Sequence, residues 1–271
     1  QFSKKFSLER LDKHFSKLLE FYAGKDLLNQ IEDKFIELGE CVGSELEELA
    51  LSADKNPPKL IKRLRDGSLS NTIEKHPDFI KLEKIAFEKF GLAAMSHRAG
   101  TFEMQSILPP IIKYGLTFLF VQNEFGLCCP VSMTDSLTRT LKKFGDERLI
   151  TKFFDQLTSQ DLDELFQGAM FMTEQHAGSD VGSIDTIAEN IDGQWYLSGE
   201  KWFCSNPDAD LAMVLARYDK KTKGTRGLSL FLLPKKLENG QPNNYEIIRL
   251  KDKLGGRSFA SGEIRLNNAF A

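Results

Sequence analysis

Residues 170–182, MFMTEQHAGSDVG, pass from an apolar run straight into Thr173, Glu174, His176, Gly178, Ser179 and Asp180. A strand that ends at Met172 and turns through Ala177-Gly178-Ser179-Asp180 gathers hydroxyls and backbone N–H groups around one concave corner. Such a corner suits a flat polar heterocycle or an anion, because glycine permits close approach and N–H groups donate without a charged side chain. A plain loop whose Ser179 and Asp180 cap the next segment is the other reading. A second stretch, GEKWFCSN at 199–206, falls on a predicted strand of the same sheet. It offers an aromatic wall from Trp202 and Phe203 and further donors from Cys204, Ser205 and Asn206, although the two aromatics also fit as core residues.

Other chemical signatures are absent from the chain. There is no GxGxxG after a strand, no GxxxxGK[ST], no HExxH and no GxSxG, which removes the usual sequence support for a Rossmann site, a P-loop, a zincin or a hydrolase elbow. Four histidines, His14, His76, His97 and His176, are too few and too scattered to predict a metal cluster, and none is expected. His76 before Pro77 reads as a helix start; His176 reads as a ligand contact or an exposed loop residue. Cys41, Cys128, Cys129 and Cys204 lack CxxC spacing and are expected to be reduced, small buried hydrophobes. Glu47 and Glu48 look like a solvated helix face. No residue stands out as catalytic.

The elements that must position the two polar stretches differ between the halves of the chain. From about Leu8 to Phe154 apolar residues recur at helical spacing, as in Leu27, Leu28, Ile31, Phe35, Leu38 and again from Phe79 to Phe90. Asn56-Pro57-Pro58 and Asp66-Gly67-Ser68 are read as helix separators, with Pro57 or Pro58 in a first turn, and Thr134 or Asp135 as the cap of the helix carrying Leu137 and Leu141. After Gln167 the runs become short, alternating and β-branched. Asp192-Gly193 is a hairpin signal inside TIAENIDGQWYLSGEKWFCS, and LAMVLARYD, LSLFLLP, YEIIRL and SGEIRLNN supply further strands around the loop KKTKGTRG. The fold class predicted is α+β multidomain: an N-terminal all-α helical bundle, 1–165, followed by an antiparallel β-barrel or sandwich-like middle domain, 166–271.

Composition narrows the partners. Of 271 residues 41% are hydrophobic and 28% charged, enough for a real core, and the net charge of −3 gives no global field for nucleic acid or an anionic membrane. The longest apolar runs are too short for a membrane span, and the N-terminal residues lack the apolar region of a signal peptide, so a cytoplasmic location is expected. The chain lacks an initiator Met, which predicts a processed or excised piece.

MTEQHAGSD followed by GEKWFCSN resembles the paired flavin-binding segments of the acyl-CoA dehydrogenase superfamily, a TEPxxGSD loop and a GxKxxI[TS]N strand. LCCPVSMT at 127–134, KHPDF at 75–79 and RLKDKLGGRSFASGEIRLNNA at 249–269 are similar to its AidB-type branch, flavoproteins linked to bacterial alkylation responses. The resemblance implies FAD as cofactor. It places Met170, Phe171, Met172, Thr173, Gly178 and Ser179 along the flavin, Phe203, Cys204 and Ser205 on its other side with Ser205 toward N5, and Ser179 also against the acyl-CoA substrate. Glu174 is expected to be a structural acceptor. Gln175 in place of the usual Pro and Phe203 in place of Trp depart from straight-chain fatty-acid dehydrogenases. The family's C-terminal four-helix domain, with its catalytic Glu, part of the adenine site and most of the tetramer interface, has no counterpart before Ala271. The implied function is α,β-desaturation of an acyl-CoA, with an electron-transferring flavoprotein or other acceptor, in a homo-oligomer when full length. This portion alone is then expected to be inactive. The alternative is an AidB-like protein whose main role is DNA binding through that C-terminal domain.

Overall fold

The computed structural model describes residues 12–271; Leu8, where the helical pattern begins, lies outside the described residues. The first helix, α1 (Lys13–Ala23), starts where the Asp12 carboxylate accepts from His14 N and Phe15 N, and stops at Gly24 with φ of 85°. In α2 (Lys25–Val42) the stripe Leu28, Ile31, Phe35, Leu38 and Cys41 is buried, the single apolar face that helical spacing dictates. α3 (Glu45–Lys55) follows, and after the hairpin described below α4 (Pro77–Glu83) opens with His76 as N-cap and Pro77 in the first turn, then continues as one π-helical segment, Lys84–Lys89. α5 (Pro110–Phe120), α6 (Phe125–Phe144) and α7 (Glu147–Leu157) complete the helical half. Their core is dense in phenylalanine, with Phe35, Phe79, Phe87, Phe90 and Phe120 almost fully enclosed.

Two details differ from expectation. The segment read as helix with separators at Pro57-Pro58 and Asp66-Gly67 instead forms an antiparallel hairpin, β1 (Lys59–Arg63) and β2 (Leu69–Glu74). Gly67, at φ of 84°, turns it, and Asp66 accepts from Ser68 N and Oγ, so the turn chemistry belongs to strands. Asn71 joins this hairpin to the large sheet, donating to Tyr245 O and accepting from Ile247 N. Neither Thr134 nor Asp135 is a cap. α6 begins nine residues before Thr134 at Phe125, with Glu124 accepting from Leu127 N, and it runs through Pro130.

Both residues are instead buried connectors. The Thr134 hydroxyl accepts from Gly168 N and donates to Pro130 O, tying α6 to the first strand of the sheet. Asp135 takes Lys113 Nζ of α5 on one oxygen at 2.5 Å and His97 Nε2 on the other at 2.7 Å, all three side chains at most 8% exposed. Burial pushes the Asp135 carboxyl up, but the His97 and Lys113 hydrogen bonds outweigh it and hold the group below its ordinary value.

The β half is one seven-stranded curled sheet, β3 (Gly168–Phe171), β4 (Ile187–Ile191), β5 (Gln194–Ser205), β6 (Leu211–Arg217), β7 (Leu228–Pro234), β8 (Tyr245–Leu250) and β9 (Ser261–Phe270). Pairing is antiparallel for β4–β5, β5–β9, β8–β9 and β6–β7, while β3 and β4 run parallel to β6. The β4–β5 turn is Asp192-Gly193 with both φ positive, the geometry that fits a two-residue hairpin. Among the described residues no helix is long and apolar enough to cross a membrane.

The Asp135 cluster makes a stability prediction. Asp135→Ala strands two buried nitrogens, and a urea melt should show a loss of about 3–5 kcal/mol, against a much smaller loss for exposed Asp155→Ala. Because the folded carboxyl titrates below the ordinary 3.8, its contribution is present above that value and disappears as pH falls through the folded one. An acid titration of Asp135→Asn should lack that component.

Candidate functional site

The two polar stretches meet. β3 leads into the turn Glu174-Gln175-His176-Ala177, closed by Glu174 N to Ala177 O at 2.9 Å and Ala177 N to Glu174 O at 3.1 Å. The end of β5 lies beside it, with Trp202 N donating to Thr173 O at 2.8 Å.

A buried ion pair clips them. Lys201 Nζ, with its side chain fully enclosed, donates to Glu174 Oε1 at 2.8 Å and to Met172 O at 3.0 Å. Glu174 also accepts from Thr186 N at 3.0 Å, Thr186 Oγ1 and Asp185 N, so both its oxygens are occupied. Burial pushes the Glu174 carboxyl up, and these donors overcome that and hold it below its ordinary value. Burial draws Lys201 down while Glu174 pulls against it. The sequence expectation that Glu174 is a structural acceptor matches this geometry.

Gly199 explains the spacing of the second stretch. At φ of 146°, an added Cβ would stand 2.7 Å from Thr186 Cα, so only glycine lets β5 pass close enough for Thr186 to reach Glu174. Two residues on, a bulge interrupts the β5–β9 ladder between Lys201–Ile264 and Cys204–Gly262 pairs, leaving Trp202 and Phe203 opposite one partner residue. Bulges of this kind re-aim side chains. Phe203 is 47% exposed, and Trp202 carries the Lys251 ammonium 3.3 Å from its ring centroid. The stretch ends at Asn206, φ of 54°, whose side chain donates to Gln167 Oε1 and Gly168 O.

The remaining predicted residues divide by environment. Thr173 is half-buried, Gly178 and Ser179 exposed, and a Cβ at Gly178 would touch Thr173 Cγ2 at 3.6 Å, which places these residues at one corner. The Thr173 and Ser179 hydroxyls and the Gly178 and Ser179 N–H groups have no acceptor or donor partner within the described protein. Asp180 caps the short turn Val181–Ser183 through Gly182 N. Met170 and Met172 are half-buried, whereas Phe171 and Cys204 turn their side chains into the sheet core, where burial pushes the Cys204 thiol up. Those two can face a ligand only through backbone. Ser205 lies 3.4 Å from Ser261 Oγ. His176 is half-exposed, with Nε2 3.2 Å from Ser183 O and 3.3 Å from Asp185.

Sequence reasoning missed Lys201, Asp185, Thr186 and Ser261. The lysine stands inside the quoted motif, but only its burial reveals the role. No local signal marks the others. Among the described residues no group of three or more His, Cys, Asp or Glu side chains is placed to hold a metal ion.

The donor set fits a flavin: amide and hydroxyl donors at one corner, an exposed aromatic and a serine on the facing strand end. Residues 4–164 match the adaptive response protein AidB N-terminal domain family, and residues 169–269 the acyl-CoA dehydrogenase middle domain family. The chain is 34% identical over 242 residues to acyl-CoA dehydrogenase family member 11 of Caenorhabditis elegans, covering 86% of this chain and 39% of the relative. It is 31% identical over 255 residues to AidB of Escherichia coli (strain K12), covering 88% of this chain and 44% of AidB. The crystal structure of C. elegans ACDH-11 in complex with C11-CoA superposes with a TM-score of 0.80 at 30% identity, over 96% of this chain and 44% of that one. The chain therefore spans less than half the length of these curated relatives.

The clip generates an asymmetric prediction. Glu174→Ala leaves a buried ammonium unpaired and should cost about 3–5 kcal/mol. Lys201→Met should cost less, because three donors still satisfy Glu174, and in the double variant Glu174→Ala with Lys201→Met the losses should be well below additive in a urea-melt cycle.

Proposed function

Because the chain belongs to the acyl-CoA dehydrogenase superfamily, in its AidB-like branch, we propose that it forms the helical and flavin-contacting portion of an FAD-dependent acyl-CoA dehydrogenase. The single observation that carries this reading is the pairing of unpartnered donors at Thr173, Gly178 and Ser179 with the bulged strand end at Phe203–Ser205, held together by the Glu174–Lys201 clip.

In this reading Met170 to Thr173 and Gly178 to Ser179 line one edge of the flavin, with backbone supplying the contacts at Phe171. The Thr173 hydroxyl and the two free amides donate to the polar heterocycle. Phe203 covers the ring, Cys204 contributes backbone, and Ser205 donates toward N5. When bound, FAD supplies the acceptor for a hydride from the β-carbon of an acyl-CoA. Donors at the ring edge and near N5 stabilise the charge that hydride arrival creates, and they are preorganised by the clip, so they need no rearrangement at that moment. Ser179, exposed at the loop tip, also reaches the acyl-CoA, a substrate class supported by the C11-CoA held by the similar ACDH-11.

The α-proton needs a carboxylate base. Glu174 is already occupied by four hydrogen bonds to Lys201, Thr186 and Asp185 and is not free to serve; we take the base from outside these 271 residues, where the family resemblance puts it. These residues alone then bind FAD weakly and do not turn over. An electron-transferring flavoprotein is the acceptor class we favour, and a homotetramer the assembly.

The full-length protein as purified should show the two visible absorption bands of oxidised flavin, and Thr173→Ala should weaken FAD binding by about 1 kcal/mol, roughly five-fold, for one lost hydrogen bond. A colourless protein that takes up no added FAD contradicts the reading.

A further inference from the structure

Ser205 is the end of a chain of hydrogen bonds that starts at a lysine on another loop. Its Oγ lies 3.4 Å from the Oγ of Ser261, the first residue of β9, itself 1% exposed. Ser261 Oγ in turn accepts from Lys253 Nζ at 3.2 Å. The same ammonium donates to Phe259 O at 2.8 Å and sits 3.4 Å from the centroid of the Phe259 ring. The loop 252–260 can fold back over its own lysine because Gly256 adopts φ of 59°.

Lys253 lines a cleft of about 190 Å³ between this loop and Pro57-Pro58 of the helical half. Among the described residues no carboxylate comes within 4 Å of its nitrogen, and its direct protein contacts are a carbonyl, a hydroxyl and a ring face. Lys253 is half-buried, and an ammonium withdrawn in part from water without a carboxylate partner costs stability.

The direction of the chain follows from donor inventory. An ammonium has three protons and no acceptor site, so Ser261 Oγ accepts from Lys253 and its single proton turns to Ser205. Ser205 then accepts from Ser261, and its own proton is left free for a further acceptor. A neutral amine enforces no such direction, because it can accept from Ser261.

We propose that Lys253 is a positioning residue for the flavin: acting through Ser261, it orders the Ser205 hydroxyl as a donor toward N5 and adds positive charge behind it. The proposal rests on the cofactor reading above. Burial lowers Lys253 to about 8, so the ordering is titratable near neutral pH. The groups that face this amine are Cys129 of α6, Asp54 of α3 and Glu124 ahead of α6, which favour its charged form, with Lys251, Asp252 and Arg257 along the same cleft.

The test is the midpoint potential of FAD bound to the full-length protein, measured from pH 6.5 to pH 9.5, roughly 1.5 units either side of that titration, for wild type, Lys253→Met, Lys253→Arg and Ser261→Ala. Lys253→Met and Ser261→Ala should move the potential to more negative values at the low end of the range, with FAD still bound. Wild type should show an inflection as Lys253 loses its proton, absent from Lys253→Met. Lys253→Arg, which stays charged, should keep the low-pH potential and also lack the inflection. FAD bound with the same potential and the same pH profile in all four proteins overturns this proposal alone. Wild-type protein that takes up no FAD overturns the cofactor reading and this proposal with it.

Discussion

The Glu174–Lys201 pair is the constraint from which the rest of the site follows. A carboxylate and an ammonium withdrawn from water are costly, and the arrangement is tolerable because nearly every lone pair and proton of the two groups is used. Four donors reach Glu174 and two acceptors reach Lys201. The groups involved come from the residues just after β3, from those ahead of β4 and from β5, so three separate pieces of chain are fixed by one salt bridge. Gly199 permits the approach, the bulge after Lys201 leaves Phe203 exposed beside half-buried Trp202, and the loop from Glu174 to Asp180 hangs from the same point.

The helical half serves the sheet by the same kind of device. Asp135 collects Lys113 and His97 inside the bundle, and its neighbour Thr134 holds Gly168, the first residue of β3. A Cβ at Gly168 would stand 2.9 Å from Thr134 Cα, so strand and helix are in direct backbone contact there. The strand that presents Met170 to Thr173 is thus anchored to the bundle at one end and clipped to β5 at the other. Leu137, Leu141, Phe153 and Leu157 of α6 and α7 pack on Leu211 and Met213 of β6, which gives that anchorage an apolar base.

Much of this was legible in the sequence where the determinant is local. The α2 stripe, the His76-Pro77 helix start and the Asp192-Gly193 turn each carry their signal within a few residues, and all three are present. So is the adjacency of the two polar stretches, which rested on reading them as parts of one sheet. The failures share a physical cause. The 59–74 hairpin has short, mostly exposed strands whose register is confirmed by Asn71 bonding to β8, a partner some 174 residues away. Asp135 looks like a cap until Lys113 and His97 are in place. Lys201 reads as one more surface lysine on an alternating strand, and Ser261 and Lys253 acquire meaning only when β9 is laid against β5. Phe171 and Cys204 show the limit of a motif: it marks a segment, while strand alternation sends every second side chain into the core and leaves these two only their backbone to offer a ligand.

The most direct test of the clip is amide hydrogen exchange followed by mass spectrometry, comparing wild type with Lys201→Met under native conditions. If one buried pair holds both stretches, exchange should accelerate together in peptides spanning 172–186 and 199–206, while the core helices α2 and α6 keep their protection. Acceleration confined to 199–206, with 172–186 unchanged, would contradict the account and leave the two stretches as independent neighbours.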